Sequence, residues 1–416
     1  MLKKIATRDL RLGMYLHRLE GSWIDHPFWR ARFVIADAAV LQRLQACGLD
    51  TCWIDTSLGV DVAPSAEAAG EPLAAEAAPG ADPATSLPVP PVAVRAAPTS
   101  FSAELKEAAA ICRRGRAAVA HMFAEARLGK ALDTERCREL VEEVAQSVER
   151  NAGALVSLAR LKNKDDYSYM HSVAVCALMV ALARQLGMNE TQCREAGLAG
   201  LVHDVGKALM PPELLGKPGK LTEAEWLVMR SHPERGHQLL LEGAAALPGA
   251  LDVALHHHER IDGTGYPHRL AGDAISELAR MSAICDVYDA ITSNRPYKHG
   301  WDPADSIARM AGWKGHFDAR MFTAFVHSLG IYPTGSLVRL ESGRLAVVAE
   351  QNPAALLTPV VVVFFSTKSQ MHVAPLRLDL ARAGDRIVAR EGTAAAQFKH
   401  IDELWAEPEV LRRIGR

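Results

Sequence analysis

Residues 197–210 read GLAGLVHDVGKALM, an apolar stretch with a histidine and an aspartate side by side, His203-Asp204, and Lys207 one turn further on. Burying an unpartnered His–Asp couple in such a stretch is costly, and a bound cation removes the cost. Working outward, His203, His232, His237, His256, His257 and His258 fall within 203–258, and another acid follows at Asp286. A helical bundle with ordinary surface histidines is the plainer alternative, but it does not account for the combination. Imidazole and carboxylate without thiolate suit iron, manganese, cobalt, nickel or zinc at a catalytic site. The long separations call for ligands from several helices meeting inside a bundle. Adjacent His257 and His258 would diverge by about 100° in a regular helix. They can serve one centre only near a helix end, which Asp262-Gly263-Thr264-Gly265 supplies.

The chain has 416 residues, 49% hydrophobic and 23% charged, enough for one large or two modest cores, so a small disulfide scaffold and a wholly disordered chain are excluded. A formal net charge of -2 gives no global reason to expect nucleic-acid or membrane-surface binding. Cysteines at 47, 52, 112, 137, 176, 193 and 285 form no CxxC pair and suggest a reducing, cytoplasmic setting. The N-terminus lacks the apolar core of a secretory signal. The longest uncharged apolar stretch, Val173–Ala183, is short for a bilayer, so no membrane span is expected.

Four regions are expected. Residues 1–58 form a small α+β unit, with a helix over Ala38–Cys47 capped by Gly48 and turn-like pieces such as Asp25-His26-Pro27. Residues 59–100, rich in alanine and proline, form a flexible tether. Residues 101–332 are helical: Leu140, Val141, Val144 and Val148, then Leu155, Leu158 and Leu161, repeat at three- and four-residue intervals. Further helices are expected near 170–187, 190–205, 223–242, 248–258, 276–291, 303–311 and 318–329. Residues 333–416 are β-rich, with runs at Leu337–Leu340, Leu345–Val348 and Val360–Phe365. The fold class is therefore mainly α, with a small α+β N-terminal domain and a β-rich C-terminal appendage.

HDVGK at 203–207, HHERIDGTGYP at 257–267 and CDVYDAITSNRPYK at 285–298 resemble, in order, the motifs of the HD-GYP subgroup of HD-superfamily metal phosphohydrolases. The N-terminal segment also resembles a small domain of unknown role often fused before HD-GYP domains. The resemblance implies an HD-type helical bundle that hydrolyses cyclic di-GMP to the linear pGpG, with GMP left open as a further product. It implies that His171, His203, Asp204 and Asp286 hold one cation, with Asp204 bridging to a second held by His232, His257 and His258. Asp204 and Lys207 are the implied catalytic residues; Lys207, Arg295 and Lys298 would hold phosphate, and Gly265, Tyr266 and Pro267 would shape the site and meet cyclase-type partner domains. Two cations against two carboxylates leave a net positive site suited to an anionic phosphodiester.

Two divalent transition-metal ions are expected, iron or manganese first, then zinc, cobalt or nickel. A third is not expected. Three-metal members carry a glutamate four residues before the first histidine, where this chain has Tyr167. Asp166, five back, lies about 140° around a helix from His171 rather than about 40°. Arg295 and Lys298 could alternatively be a solvated helix terminus. His256 reads as structural; His237, His268, His299 and His316 as surface or capping residues; and Cys285, Met170, Met179, Met210 and Met281 as core packing. Alternatives to cyclic di-GMP hydrolysis are an HD hydrolase of a different cyclic dinucleotide or of a nucleotide phosphate, or a non-catalytic adaptor that binds cyclic di-GMP or a cyclase. The N-terminal unit is expected to dock a partner or to form a homodimer.

Overall fold

The computed structural model describes residues 2–19, 33–45, 51–60, 99–130, 132–162, 167–242, 248–294, 299–398 and 400–415. The chain divides into two compact units, Met1–Arg95 and Ala96–Arg416. Apart from its ends, the expected tether lies outside the described residues, as do Asp25-His26-Pro27 and Gly48.

In the first unit, β1 (Leu2–Ala6), β2 (Tyr15–Leu19), β3 (Phe33–Val34) and β4 (Thr51–Asp55) form an antiparallel sheet in the order β1-β4-β2-β3. With α1 (Ala38–Gln45), it encloses a core of Ile5, Leu10, Met14, Leu16, Ile35, Leu44, Cys52 and Ile54. β1 carries little apolar signal, because only Ile5 in it is buried, opposite Cys52.

The second unit begins with α2 (Phe101–Arg127) and α3 (Thr134–Ala159), which lie against each other. Glu104, buried in α2, accepts from Arg150 Nε and Nη2 on α3 at 2.7 and 2.9 Å, so its charge is paired. Then come α4 (Tyr167–Gln185), α5 (Glu190–Val202), α6 (Pro212–Leu215), α7 (Glu223–Met229), α8 (His232–Glu242), α9 (Pro248–His256), α10 (Glu277–Thr292), α11 (Pro303–Ala311) and α12 (Ala319–Leu329). α4 is buried from Met170 to Ala183, packed by α2, α3, α5, α10 and α12. A helix surrounded on all sides is apolar all round. Among the described residues, α4 alone is long and apolar enough to cross a membrane, and most of it is buried inside this bundle.

The single helix expected over 223–242 is two. Pro233 has no N–H to donate and disfavours helical backbone at the residue before it. The helix therefore stops at Met229, and a new one starts at His232.

The C-terminal strands β5 (Leu337–Leu340), β6 (Arg344–Glu350), β7 (Val360–Ser366), β8 (Met371–Asp379) and β9 (Ile387–Arg390) form an antiparallel sheet in the order β8-β7-β6-β5-β9, followed by α13 (Pro408–Arg413) against α2. β8 was not evident from sequence: Pro375 interrupts it, its side chains are mostly exposed, and the register shifts opposite Val363 and Phe365. A proline is tolerated there because β8 is an edge strand.

Candidate metal centre

The helix ends gather the ligand-type side chains. His171 lies in the second turn of α4, Asp286 midway along α10, and His203 caps the C-terminus of α5. Asp204 begins a 3-10 turn, Val205–Leu209, and His232 opens α8 directly after the break. α9 stops at His256, so His257 and His258 leave the helical track and their ring centroids come within 4.1 Å. All but His258, which is half-buried, are buried. The turn after Asp204 presses on α8 at Gly206: a methyl group there would run into the His232 carbonyl and come within 2.6 Å of Gly236 N. Only glycine allows that approach.

Three groups form with ligand atoms within 4.8 Å of one another: His171, His203 and Asp286; His203, Asp204 and His257; and His232, His257 and His258. Asp204 stands between them. Its Oδ2 is 3.5 Å from His171 Nε2 and 3.4 Å from His203 Nε2, whereas its Oδ1 is 3.2 Å from His232 Nε2 and 3.6 Å from His257 Nε2. Asp286 Oδ1 lies 2.9 Å from His171 Nε2, and Oδ2 lies 3.7 Å from His258 Nδ1.

Hydrogen bonds behind the rings fix which nitrogen faces inward. His203 Nδ1 donates to Gly200 O at 2.7 Å, His232 Nδ1 to Met229 O at 2.7 Å, and His257 Nδ1 to Val253 O at 2.9 Å. Each Nε2 is left as a lone pair aimed at its neighbours, the tautomer a metal-ligating histidine needs. His232 Nε2 and His257 Nε2 face each other at 3.3 Å, and His203 Nε2 and Asp204 Oδ1 are buried without a hydrogen-bond partner. Acceptors crowded together with no proton among them are repulsive; a shared cation makes the arrangement favourable. The donor set therefore fits divalent metal.

At three of the rings the charge states agree, whereas the hydrogen bonds of His171 with Asp286 and Asp289 outweigh its burial and push it up. Burial pushes His203 down from its usual range, His232 to about 4, and His258 well down, helped in the last case by His257, so these rings are neutral. Burial would raise Asp204, but the Lys207 ammonium foremost holds it well below the usual carboxylate range. Burial likewise works against Asp286, which its hydrogen bond with His171 holds well down.

Lys207 is ion-paired with Asp204 Oδ2 and partly exposed at the rim. In the GYP loop, the Tyr266 ring stacks on His258 at 4.7 Å and lies under the Arg230 guanidinium at 4.4 Å. Burial pushes its phenol up, so it stays protonated. Gly265 lies against the Glu259–Arg260 backbone, and Pro267 follows a cis bond. Arg295, Lys298 and Asp166 lie outside the described residues. His256 points elsewhere, to Asp252 and His268. Cys285, Met170, Met179, Met210 and Met281 are buried in the core.

Sequence reasoning missed Asp289, Lys162 and Glu259. His171 Nδ1 donates to Asp289 Oδ2, which also pairs with buried Lys162. Asp289 lies three residues after Asp286, on the same helical face, a spacing that could have flagged it. Buried Glu259 accepts from His268 N at 2.7 Å and Leu270 N at 3.1 Å, holding the GYP loop.

A bundle that gathers five histidines and two aspartates in this way defines the histidine–aspartate class of metal-dependent hydrolases. Residues 139–321 match the HD domain family, and residues 2–137 match a domain of unknown function, DUF3391. The chain is 52% identical to the cyclic di-GMP phosphodiesterase PA4108 of Pseudomonas aeruginosa, over 97% of this chain and 96% of that protein. It is 39% identical to the cyclic di-GMP phosphodiesterase response regulator RpfG of Xanthomonas campestris, over 46% of this chain and 48% of that one. It is 36% identical to the 3'3'-cGAMP-specific phosphodiesterase 1 of Vibrio cholerae, over 40% and 38%. The chain belongs to the HD domain family, and its DUF3391 match precedes the HD match and extends over α2.

Proposed function

We propose that this protein is a metal-dependent phosphodiesterase that hydrolyses cyclic di-GMP to pGpG, lowering a bacterial second messenger. The observation that carries the reading is the inward-facing Nε2 of His203, His232 and His257 around the two oxygens of Asp204. His171, His203, Asp204 and Asp286 would hold one divalent ion, and Asp204, His232, His257 and His258 a second; iron or manganese suits this nitrogen–oxygen set, with zinc, cobalt or nickel as substitutes. When bound, such ions lower the pKa of water and polarise a phosphate oxygen.

The chain's own groups do the rest. Lys207, at the rim beside Asp204, places a positive charge where the phosphodiester becomes more negative. The Nδ1 hydrogen bonds keep the imidazoles from turning. Tyr266, Gly265 and Pro267 wall the site beside His258, and Arg295 and Lys298 would contribute further phosphate contacts. No side chain need act as a nucleophile.

The wider organisation belongs to the same proposal: residues 1–58 as an interaction unit, 59–100 as a tether, 101–332 as the catalytic bundle and 333–416 as its β extension. Cyclase-type domains and a second copy of the chain are the proposed partners. Cys112, Cys137, Cys176, Cys193 and Cys285, buried free thiols of the second unit, support a cytoplasmic setting. The name of the Vibrio cholerae relative favours 3'3'-cGAMP as the second substrate to consider, but the 52% relative favours cyclic di-GMP. Turnover of both by anaerobically purified, metal-loaded protein, with pGpG and GMP separated by chromatography, tests the reading. Faster turnover of cyclic di-GMP is expected; exclusive cleavage of 3'3'-cGAMP would overturn the substrate.

A further inference from the structure

Although it ends shortly before the candidate ligand His232, α7 has no buried side chain. Trp226, Leu227 and Val228 stand 48%, 71% and 39% exposed. So short a helix is not stable on its own. A capping box holds its start, with Glu225 N donating to Thr222 Oγ1 at 3.3 Å and Thr222 N to Glu225 Oε2 at 2.7 Å, and Lys217 Nζ pairs with the same carboxylate at 2.6 Å. Just past its other end, the Arg230 guanidinium sits 4.4 Å from the centroid of the Tyr266 ring. The helix is thus fixed at both ends while its apolar side chains stay in solvent.

Arg230 is open to a ligand. Half-buried, its guanidinium makes no hydrogen bond and no ion pair among the described residues, yet none of its nitrogens is shut off from solvent. Neighbouring acids are committed elsewhere: Glu225 to Lys217 and Thr222, and Glu259 to His268 N and Leu270 N. Contact with the Tyr266 ring therefore leaves the guanidinium N–H groups without an acceptor. Tyr266 in turn stacks on His258 at 4.7 Å, so this cation lies one ring beyond the metal centre, whereas Lys207 is paired with Asp204 inside it. Arg230 N donates to Trp226 O at 2.9 Å, a single helical turn that puts both residues on one helix face. An exposed indole beside an unpaired guanidinium suits a nucleobase beside a phosphate.

We propose that Trp226 and Arg230 form a subsite for the half of a cyclic dinucleotide that is not being cut. Arg230 receives the second phosphate, and the Trp226 indole stacks on the base next to it. The inference rests on the cyclic dinucleotide reading above. The ions and Lys207 answer the scissile phosphate; the other phosphate brings a further negative charge, and Arg230 stands beyond Tyr266 to meet it. Stacking accepts any purine, so the subsite favours dinucleotides over small diesters without choosing guanine over adenine.

Steady-state kinetics of the full-length, metal-loaded protein test this with cyclic di-GMP, 3'3'-cGAMP and bis(p-nitrophenyl) phosphate, which has a single phosphate and no nucleobase. Arg230→Gln should raise KM for the dinucleotide roughly tenfold, and its kcat/KM should fall about tenfold further than that for bis(p-nitrophenyl) phosphate. Arg230→Lys, which keeps the charge, should recover most of the loss. Trp226→Ala should raise the dinucleotide KM roughly fivefold or more, and Trp226→Phe, which keeps a ring, much less. Equal losses on the dinucleotide and the small diester would make Arg230 a mere support of Tyr266 and overturn the proposal, as would an unchanged dinucleotide KM in Arg230→Gln or Trp226→Ala. Exclusive cleavage of 3'3'-cGAMP would displace cyclic di-GMP as the substrate, and the same variants would then decide the subsite on 3'3'-cGAMP. Turnover of neither dinucleotide overturns both readings.

Discussion

His171 Nδ1 lies 2.6 Å from Asp289 Oδ2, and Asp289 is also paired with Lys162, whose Nζ is 2.8 Å from Ser293 Oγ. A carboxylate behind the ring holds His171 with Nε2 toward Asp286 and Asp204, and the buried lysine neutralises that carboxylate.

Asp289→Asn should therefore lower metal affinity roughly 10- to 100-fold, as loss of such an orienting partner does. It should also destabilise the fold by about 3 kcal/mol or more, because Lys162 would be left as an unpaired buried charge. Metal titration of the stripped protein and a thermal melt check both effects; unchanged affinity would remove Asp289 from the account.

Gly206→Ala puts a methyl group into the His232 carbonyl and the Gly236 backbone. Relief requires moving α8, and with it His232. We expect a loss of about 1–3 kcal/mol in stability and a protein that retains less metal, measured by a melt and elemental analysis. An active variant with full metal content would show that the turn has slack.

Tyr266→Phe keeps the ring between His258 and Arg230, whereas Tyr266→Ala removes it. Turnover should fall little in the first variant and on the order of tenfold or more in the second. Equal losses in both would instead assign the role to the hydroxyl.

Asp302 gives a pH dependence. Burial raises its carboxyl to about 6, despite the backbone donors Leu337, Asp305 and Ala304. The folded state then binds this proton more tightly than the unfolded chain. Its contribution to stability is greatest below about pH 4 and declines as pH rises through 6, by on the order of 1–2 kcal/mol after allowing for its partial exposure. Asp302→Ser keeps a helix cap. The melting temperature of wild type relative to this variant should fall between pH 4 and 7; a constant difference would contradict the assignment.

The helices were legible because one-faced burial imposes three- and four-residue spacing, as at Leu140, Val141, Val144 and Val148. β1 and β8 were not, since Lys3-Lys4 and Pro375 interrupt the apolar alternation; the partner of β1, β4, also lies far along the chain, whereas β8 closes a short hairpin with β7. The break before His232 is encoded by Pro233 alone, within apolar spacing that otherwise continues a helix. Within the site, the motif histidines stood out by type and order. Asp289 and Lys162 did not, because an acid and a lysine 127 residues apart become partners only when α10 is laid beside the end of α3. Gly206 gave no chemical signal; its role exists only against the backbone of α8.

The most direct test of the central claim is metal stoichiometry. Full-length protein purified anaerobically, and its Asp204→Ala variant, would be analysed for iron, manganese and zinc per chain. Because the two oxygens of Asp204 face separate histidine pairs, the account predicts about two ions in the wild type and substantial loss from both positions in the variant. An undiminished complement of metal in Asp204→Ala, or a metal-free wild type that still turns over cyclic di-GMP, would contradict it.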